Sequence, residues 1–313
     1  MKSSEPLEHI NVAILLCTHN GGKYLSEQIS SIKNQTHENW IIYVSDDNSS
    51  DETLNILKRE ISKNPQKMKI FKGPCEGFSK NFMSLASNKQ IKADYFAFCD
   101  QDDVWEPTKL QRGIDALMDF SETPNLYCGR TCYTNKDLKK SGLSPLFEKK
   151  PGLRNALVQS IAGGNTMIFN AKTKEILEKT DPSKKIISHD WWCYLAVSAA
   201  DGKIIYDPTP TIFYRQHDDN LVGSNQSIPG RVSRFRKLMS GQFLDWTNSN
   251  LDLLKGIETI IPKHNAEIIS KFKELKGNDS LKKRLSVITQ LSIYRQTTYG
   301  SIGLMIGLIL KKI

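Results

Sequence analysis

The sequence predicts an α/β fold in which helices wind over both faces of a mostly parallel sheet, and three observations predict it. Short apolar runs rich in β-branched and aromatic residues recur through the first third of the chain; stretches with helical spacing separate them; each run stops at a polar turn. Strands that alternate with helices favour parallel pairing, because a parallel crossover needs a long connection and its helix then covers the sheet.

Residues 12–17 form the first run, which stops at THNGG, and residues 24–34 follow with Leu25, Ile29 and Ile32 on one helical face. WIIYVS (40–45) repeats the pattern and stops at DDNSSDET, where Ser49, Ser50, Asp51 and Glu52 suit the start of the helix TLNILKREIS. KIFKG is a third strand, GFSKNFMSLASNK a helix, and YFAFC (95–99) a fourth strand. Beyond Pro107 the pattern is mixed: TKLQRGIDALMDF is helical, LYCGRTCYT extended, and IAGGNTMIFN a glycine turn entering a strand. HDWWCYLAVSAADG reads as a helix with Asp190 in its first turn and Gly202 past its end. KIIYDP and TIFYRQH close a first domain of residues 1–223, and residues 224–313 read as a basic helical appendage broken by Pro262 and KGNDS.

The 313 residues are 39% apolar and 25% charged, the balance of an ordinary globular protein. The net charge of +9 is unevenly placed: from Arg231 onward the chain has 15 Lys/Arg against 6 Asp/Glu, which is the whole excess. The polar start MKSSEPLEHI does not read as a signal peptide, so a cytoplasmic location is expected. Six scattered cysteines, several within apolar runs, read as reduced, packed thiols and not as a zinc site.

FAFCDQDDVW (96–105) raises the chemical question, since Asp100, Asp102 and Asp103 crowd three negative charges behind an apolar strand. Such repulsion is costly unless a cation or dense hydrogen bonding offsets it. Asp100 and Asp102, two apart in an extended segment, project to one side and together suit Mg²⁺ or Mn²⁺, whose remaining positions phosphate oxygens commonly fill. A solvated turn is the plainer reading of the same residues. Ligands of open α/β sheets sit at the carboxyl ends of the strands, so Thr18–Asn20, Asp46–Asn48 and Asp100–Asp103 are expected along one edge.

With these motifs in view, the run VAILLCTHNGG to DDNSSDET followed by FAFCDQDDVW resembles the family 2 glycosyltransferases of the GT-A fold, and most their bacterial rhamnosyltransferase-type members. The likeness covers about two-thirds of the chain, to about Gly223. It implies a nucleotide-sugar donor, a divalent cation and an inverting displacement. Carried over residue by residue, Thr18 and Asn20 lie beside the nucleotide, Asp47 reaches its base or ribose, and Asp46 either shares that contact or only shapes an Asx turn. Asp102 ligates the metal, and Asp100 supports the ribose or sugar. His217 either completes the metal shell or touches the diphosphate, or is a surface histidine.

An inverting transfer needs a carboxylate on the sugar face opposite the leaving group. Asp190 of SHDWW matches the family's acidic residue, although a helix cap is the plainer role. The acceptor side is assigned Gly163, Gly164 and Asn165 of AGGNT, with Asp103 and with Trp191 as a ring for stacking on sugar; adjacent tryptophans also commonly include a core residue. The resemblance implies single-sugar transfer, since YRQHDDN departs from the Q-x-x-R-W pattern of processive synthases. It implies rhamnose from dTDP-rhamnose, with a UDP-hexose as the alternative donor, and an acceptor carried on a lipid as a surface-polysaccharide, O-antigen or capsule precursor.

Two other classes fit less well. A dinucleotide-dependent oxidoreductase would show G-x-G-x-x-G in its first turn, where this chain has CTHNGGKY. A nucleic-acid-binding protein would use the basic C-terminal quarter, but that charge falls on helical patterns without interleaved aromatics, and no nucleic-acid partner is expected. The final segment YGSIGLMIGLILKKI is apolar for about a dozen residues, too short for the ~20 that span a bilayer. It reads as a core helix or as an interfacial one; the adjacent positive charge favours peripheral attachment to the inner face of the cytoplasmic membrane.

Overall fold

The structure, a computed structural model, describes residues 9–217, 240–277 and 280–312. Its first part alternates as the sequence predicts: β1 (Val12–Thr18), α1 (Leu25–Lys33), β2 (Trp40–Asp46), α2 (Thr53–Lys63), β3 (Met68–Lys72), α3 (Phe78–Ala86) and β4 (Tyr95–Cys99). After β5 (Val104–Trp105) and α4 (Lys109–Leu117) come β6 (Asn125–Gly129), β7 (Cys132–Thr134) and β8 (Lys140–Leu143). The short helices α5 (Leu153–Ala156) and α6 (Ala171–Leu177) flank β9 (Ile168–Asn170), and α7 (His189–Ala199) leads to β10 (Lys203–Asp207) and β11 (Ile212–Arg215).

Seven strands form the central sheet in the order β10-β6-β9-β4-β1-β2-β3. All pairs are parallel except those of β9, which runs antiparallel to both β4 and β6. Every residue of β1 is buried, and the period of two sorts them: Ala13, Leu15 and Cys17 join one apolar cluster, Val12, Ile14 and Leu16 the other. Leu25, Ile29 and Ile32 of α1 and Leu110, Ile114 and Leu117 of α4 cover the second face. Phe82 and Leu85 of α3 and nearly all of α7 cover the first. A run buried on both faces therefore has no polar side to alternate with, which is why the strands read as unbroken apolar runs.

Two features add to the expected fold. LYCGRTCYT is extended, as expected, but divides into β6 and β7, because the chain bends after Gly129. The Arg130 amide bonds the Asp207 carbonyl and its guanidinium holds the Ser144 carbonyl at 2.7 and 2.9 Å, so β7 leaves the central sheet. It enters a second sheet of order β5-β11-β7-β8, whose existence the sequence reading did not anticipate.

The C-terminal helices pack onto the first part of the chain. Leu251 and Leu254 of α8 (Gln242–Leu254), Phe272 of α9 (Lys263–Gly277) and Leu291 of α10 (Leu281–Leu291) lie in the same buried cluster as Trp192 and Leu195 of α7. The Asn265 amide also bonds the Ser198 and Ala199 carbonyls at the end of α7. Packed between the sheet and these helices, α7 is apolar almost all round. The boundary expected at 223/224 lies outside the described residues.

Candidate active site

Parallel register brings the polar clusters together. Thr18 pairs with Asp46, and Leu16 pairs with Cys99, so the loops after β1, β2 and β4 leave the sheet at one level. They line a cavity of about 1210 Å³. β1 lies between β2 and β4, so the connections from its two sides diverge there, the place where α/β sheets take ligands.

On the β1–β3 side, Thr18, Asn20 and Asp47 reach the cavity, but Asp46 does not line it. Its carboxylate accepts hydrogen bonds from Thr18 Oγ1 at 2.7 Å, Ser49 Oγ at 2.6 Å and the Ser49 amide at 2.9 Å. Of the two readings left open for Asp46, these bonds favour the turn: its carboxylate ties two strand ends together. Asp47 accepts from the Cys75 amide at 2.9 Å, and Gly73 is required beside it, since a Cβ there would overlap the Asp47 carboxylate. Asn20, with φ 50°, takes the left-handed conformation asparagine tolerates; its side-chain oxygen accepts from the Ser50 amide at 2.8 Å. Gln101 bonds the amide and carbonyl of His19 at 2.9 and 3.0 Å, bridging the β1 and β4 loops.

The three aspartates that pose the question diverge. Asp100 and Asp102 line the cavity, while Asp103 is fully buried and points away. Asp103 accepts from Asn165 Nδ2 at 2.5 Å and from the Arg215 amide at 3.2 Å, a buried support behind the acceptor-side residue Asn165. Burial, then the charges of Asp102 and Asp100, push its carboxyl well above the ordinary range. Asp100 is pushed up to about 8 by burial and then by Asp102 and Asp190. Crowded carboxylates of this kind are what a bound cation relieves.

Asp102 Oδ2 lies 2.9 Å from His217 Nε2, and the two sit beside Asp100 on the cavity wall. A carboxylate oxygen and an imidazole nitrogen fit a divalent ion that keeps several positions for phosphate oxygens. Among the described residues no group of three His, Cys, Asp or Glu side chains converges into a closed metal cage.

Asp190 lines the same cavity. Ser188 is the N-cap residue of α7, so Asp190 is the second residue of the helix, not its cap. Its Oδ1 accepts from Ser188 Oγ and from the Trp191 amide. Burial raises its carboxyl above the ordinary value, against the opposing pull of Ser188 and of the Trp191 and Gly164 amides. Gly163, Gly164 and Asn165 form an adjoining wall, where Gly164 packs so tightly on His189 that a Cβ would overlap the ring. Trp191 takes the core position that was its alternative reading: it is 6% exposed, its Nε1 donates to the Ala156 carbonyl at 2.7 Å, and it does not line the cavity.

Three further residues, not expected from the sequence, lie buried against these parts. Arg215, 2% exposed, donates from Nε to the Asp102 carbonyl at 2.9 Å, bonds the Lys136 carbonyl and Glu27, and lies 4.4 Å over the Tyr24 ring. Lys109 lies fully buried 3.8 Å over the Trp105 ring, where burial lowers its ammonium to about 7 although Cys99, Asp103 and Asp100 pull it up. His189 stacks on Phe82 at 3.9 Å, and burial lowers its imidazole to about 3, keeping it neutral beside Asp190. A buried cation under an acidic motif is visible only as an isolated Lys or Arg in sequence. Neither position carried a signal.

The family model described as "Glycosyl transferase family 2" matches residues 13–177. The chain is similar to the dTDP-rhamnosyl transferase RfbG of Shigella flexneri, 29% identical over 70% of this chain and 77% of that protein. It is also similar to the UDP-Glc:alpha-D-GlcNAc-diphosphoundecaprenol beta-1,3-glucosyltransferase WfgD of Escherichia coli, 30% identical over 34% of this chain and 41% of that one. Among solved structures, S. aureus TarS 1-349 in complex with UDP aligns with a TM-score of 0.52 at 15% identity, over 77% of this chain and 65% of that one. GalNAc-T7 with UDP, GalNAc and Mn²⁺ aligns at 0.53 and 14% identity, over 70% of this chain and 46% of that one. These structural likenesses establish the fold, which is the GT-A fold.

Proposed function

The chain belongs to glycosyl transferase family 2, and on that premise we propose that it moves one sugar from a nucleotide donor to a saccharide hydroxyl with inversion. One observation carries this reading: the Asp102–His217 pair and the Asp190 carboxylate face a single cavity beside the β1–β3 loops. In the reaction proposed, the acceptor oxygen bonds to the anomeric carbon as the carbon–oxygen bond to the diphosphate breaks. The hydroxyl proton passes to Asp190, and the nucleoside diphosphate leaves with the electron pair. Thr18, Asn20 and Asp47 orient the nucleotide, and Asp100 orients ribose or sugar. A divalent ion held by Asp102 and His217 would supply charge to stabilise the leaving diphosphate.

The first choice of donor is dTDP-rhamnose, supported by the likeness to RfbG across most of both chains. A UDP-hexose is the second, supported by the shorter likeness to WfgD. Release of nucleoside diphosphate from a panel of dTDP-, UDP- and GDP-sugars tests the choice. dTDP-rhamnose is expected to turn over at least tenfold faster than any UDP-hexose; the reverse order selects the second donor, and no hydrolysis of any donor overturns the reading.

A lipid-linked acceptor at the cytoplasmic leaflet is part of the proposal, and the last helix supports it. No helix among the described residues is long and apolar enough to cross a membrane. α11 (Thr298–Ile309) buries Leu304 yet exposes Tyr299, Ile302, Ile306 and Ile309, a stripe at helical spacing, and Lys311 and Lys312 follow it. Such a face suits an interface between acyl chains and anionic headgroups, where each basic residue contributes on the order of 1 kcal/mol. Deleting residues 299–313 is expected to release the protein from anionic liposomes while leaving donor hydrolysis within about threefold. An insoluble or unfolded truncation would place the segment in the core.

A further inference from the structure

The second sheet presents to the cavity a wall that the reaction described above does not use. Its register aligns Tyr214 of β11 with Tyr133 of β7, and Tyr133 with Gly142 of β8. The two rings meet edge to face with centroids 6.0 Å apart, both half-buried and both lining the cavity. The outer edge beside Gly142 is open, since a Cβ there would meet nothing within 4 Å. The wall continues to Tyr206 and Phe147, whose rings lie 5.8 Å apart and whose surfaces also face the cavity.

The chemistry of this wall discriminates between ligands. None of the four side chains carries charge, so the wall offers a diphosphate no ionic partner, whereas the loops after β1, β2 and β4 supply charged as well as hydrogen-bonding groups. Flat rings with a polar edge suit a neutral pyranose, which has an apolar C–H face and peripheral hydroxyls. Trp191, the ring expected for stacking from sequence, is buried elsewhere and cannot serve. We propose that Tyr133 and Tyr214 form the stacking floor of a saccharide-acceptor subsite, extended by Tyr206 and Phe147 toward the next sugar unit. The proposal rests on the reading of the chain as a sugar transferase for its biological use, but not for its binding test.

That test uses methyl glycosides of glucose, galactose, N-acetylglucosamine and rhamnose, which lack an aromatic aglycone that could stack by itself. Saturation-transfer NMR on the full chain is expected to label ring protons of at least one glycoside. Each of Tyr133→Leu and Tyr214→Leu should weaken binding roughly 2- to 10-fold, as expected for loss of one ring contact. Tyr133→Phe and Tyr214→Phe keep the ring and should stay within about twofold, and all four variants should hydrolyse donor with unchanged KM. A donor KM that rises in the Leu variants, with glycoside binding intact, assigns the rings to the donor and overturns the proposal. So does undiminished binding in the double Leu variant, or the absence of binding in the parent protein. Glycoside binding that follows this pattern in a protein hydrolysing no sugar nucleotide supports the subsite while removing the transferase reading.

Discussion

Replacing Asp102 with Asn is expected to lower donor turnover by about 10²- to 10³-fold, the usual loss when a charge-stabilising group is removed from a leaving oxygen. The side chain keeps its shape but loses its charge toward a divalent ion. Its side chain pairs with His217 at 2.9 Å and is partly exposed, so the fold should survive and the melting temperature should hold. Asp103→Ala is the contrasting control. That carboxylate is fully buried and accepts from Asn165 and the Arg215 amide, so its loss leaves buried donors unpaired at a cost of about 1–3 kcal/mol and should lower the melting temperature. Mg²⁺ or Mn²⁺ should be required. Full turnover in excess EDTA, or an active Asp102→Asn variant, would overturn the role given to this residue.

Asp190→Asn is expected to bind donor as before and to transfer sugar about 10²- to 10⁴-fold more slowly, the range for loss of a positioned base. The pH profile gives a second signature. A base acts only when deprotonated, and burial raises this carboxyl, so activity should be present above its pKa and fall with acidification earlier than an ordinary aspartate would allow. Ser188→Ala removes a hydrogen bond that favours the ionised form, and should move the acid limb to higher pH without abolishing the rate. Near-normal transfer by Asp190→Asn together with a lower melting temperature would instead mark Asp190 as a group that only supports the start of α7.

The strands and helices of the first hundred residues were legible because β1, β2 and β4 are buried almost throughout and α1 and α2 each expose a polar side. The same patterning located the cavity edge, since polar residues directly after strands in a parallel sheet have only that edge to occupy. Asp100, Asp102 and Asp47 followed from this and from the family resemblance, and the structure brings all three to one cavity with Asp190 and His217.

Direction within a turn was not legible. Asp46 and Asp47 are neighbours, yet one is spent on Thr18 and Ser49 while the other reaches the cavity. Asp102 and Asp103 divide likewise, one toward His217 and one toward Asn165. Sequence by itself determined which elements exist, their alternation and the set of carboxylates available, because these depend on the local periodicity of apolar residues. Only the tertiary structure decided which carboxylates are free to act, where β7 leaves the central sheet, and that Arg215 and Lys109 lie beneath the acidic loop. Those outcomes depend on partners distant in the chain, such as Arg215 and Asp102, whose contact no local spacing encodes.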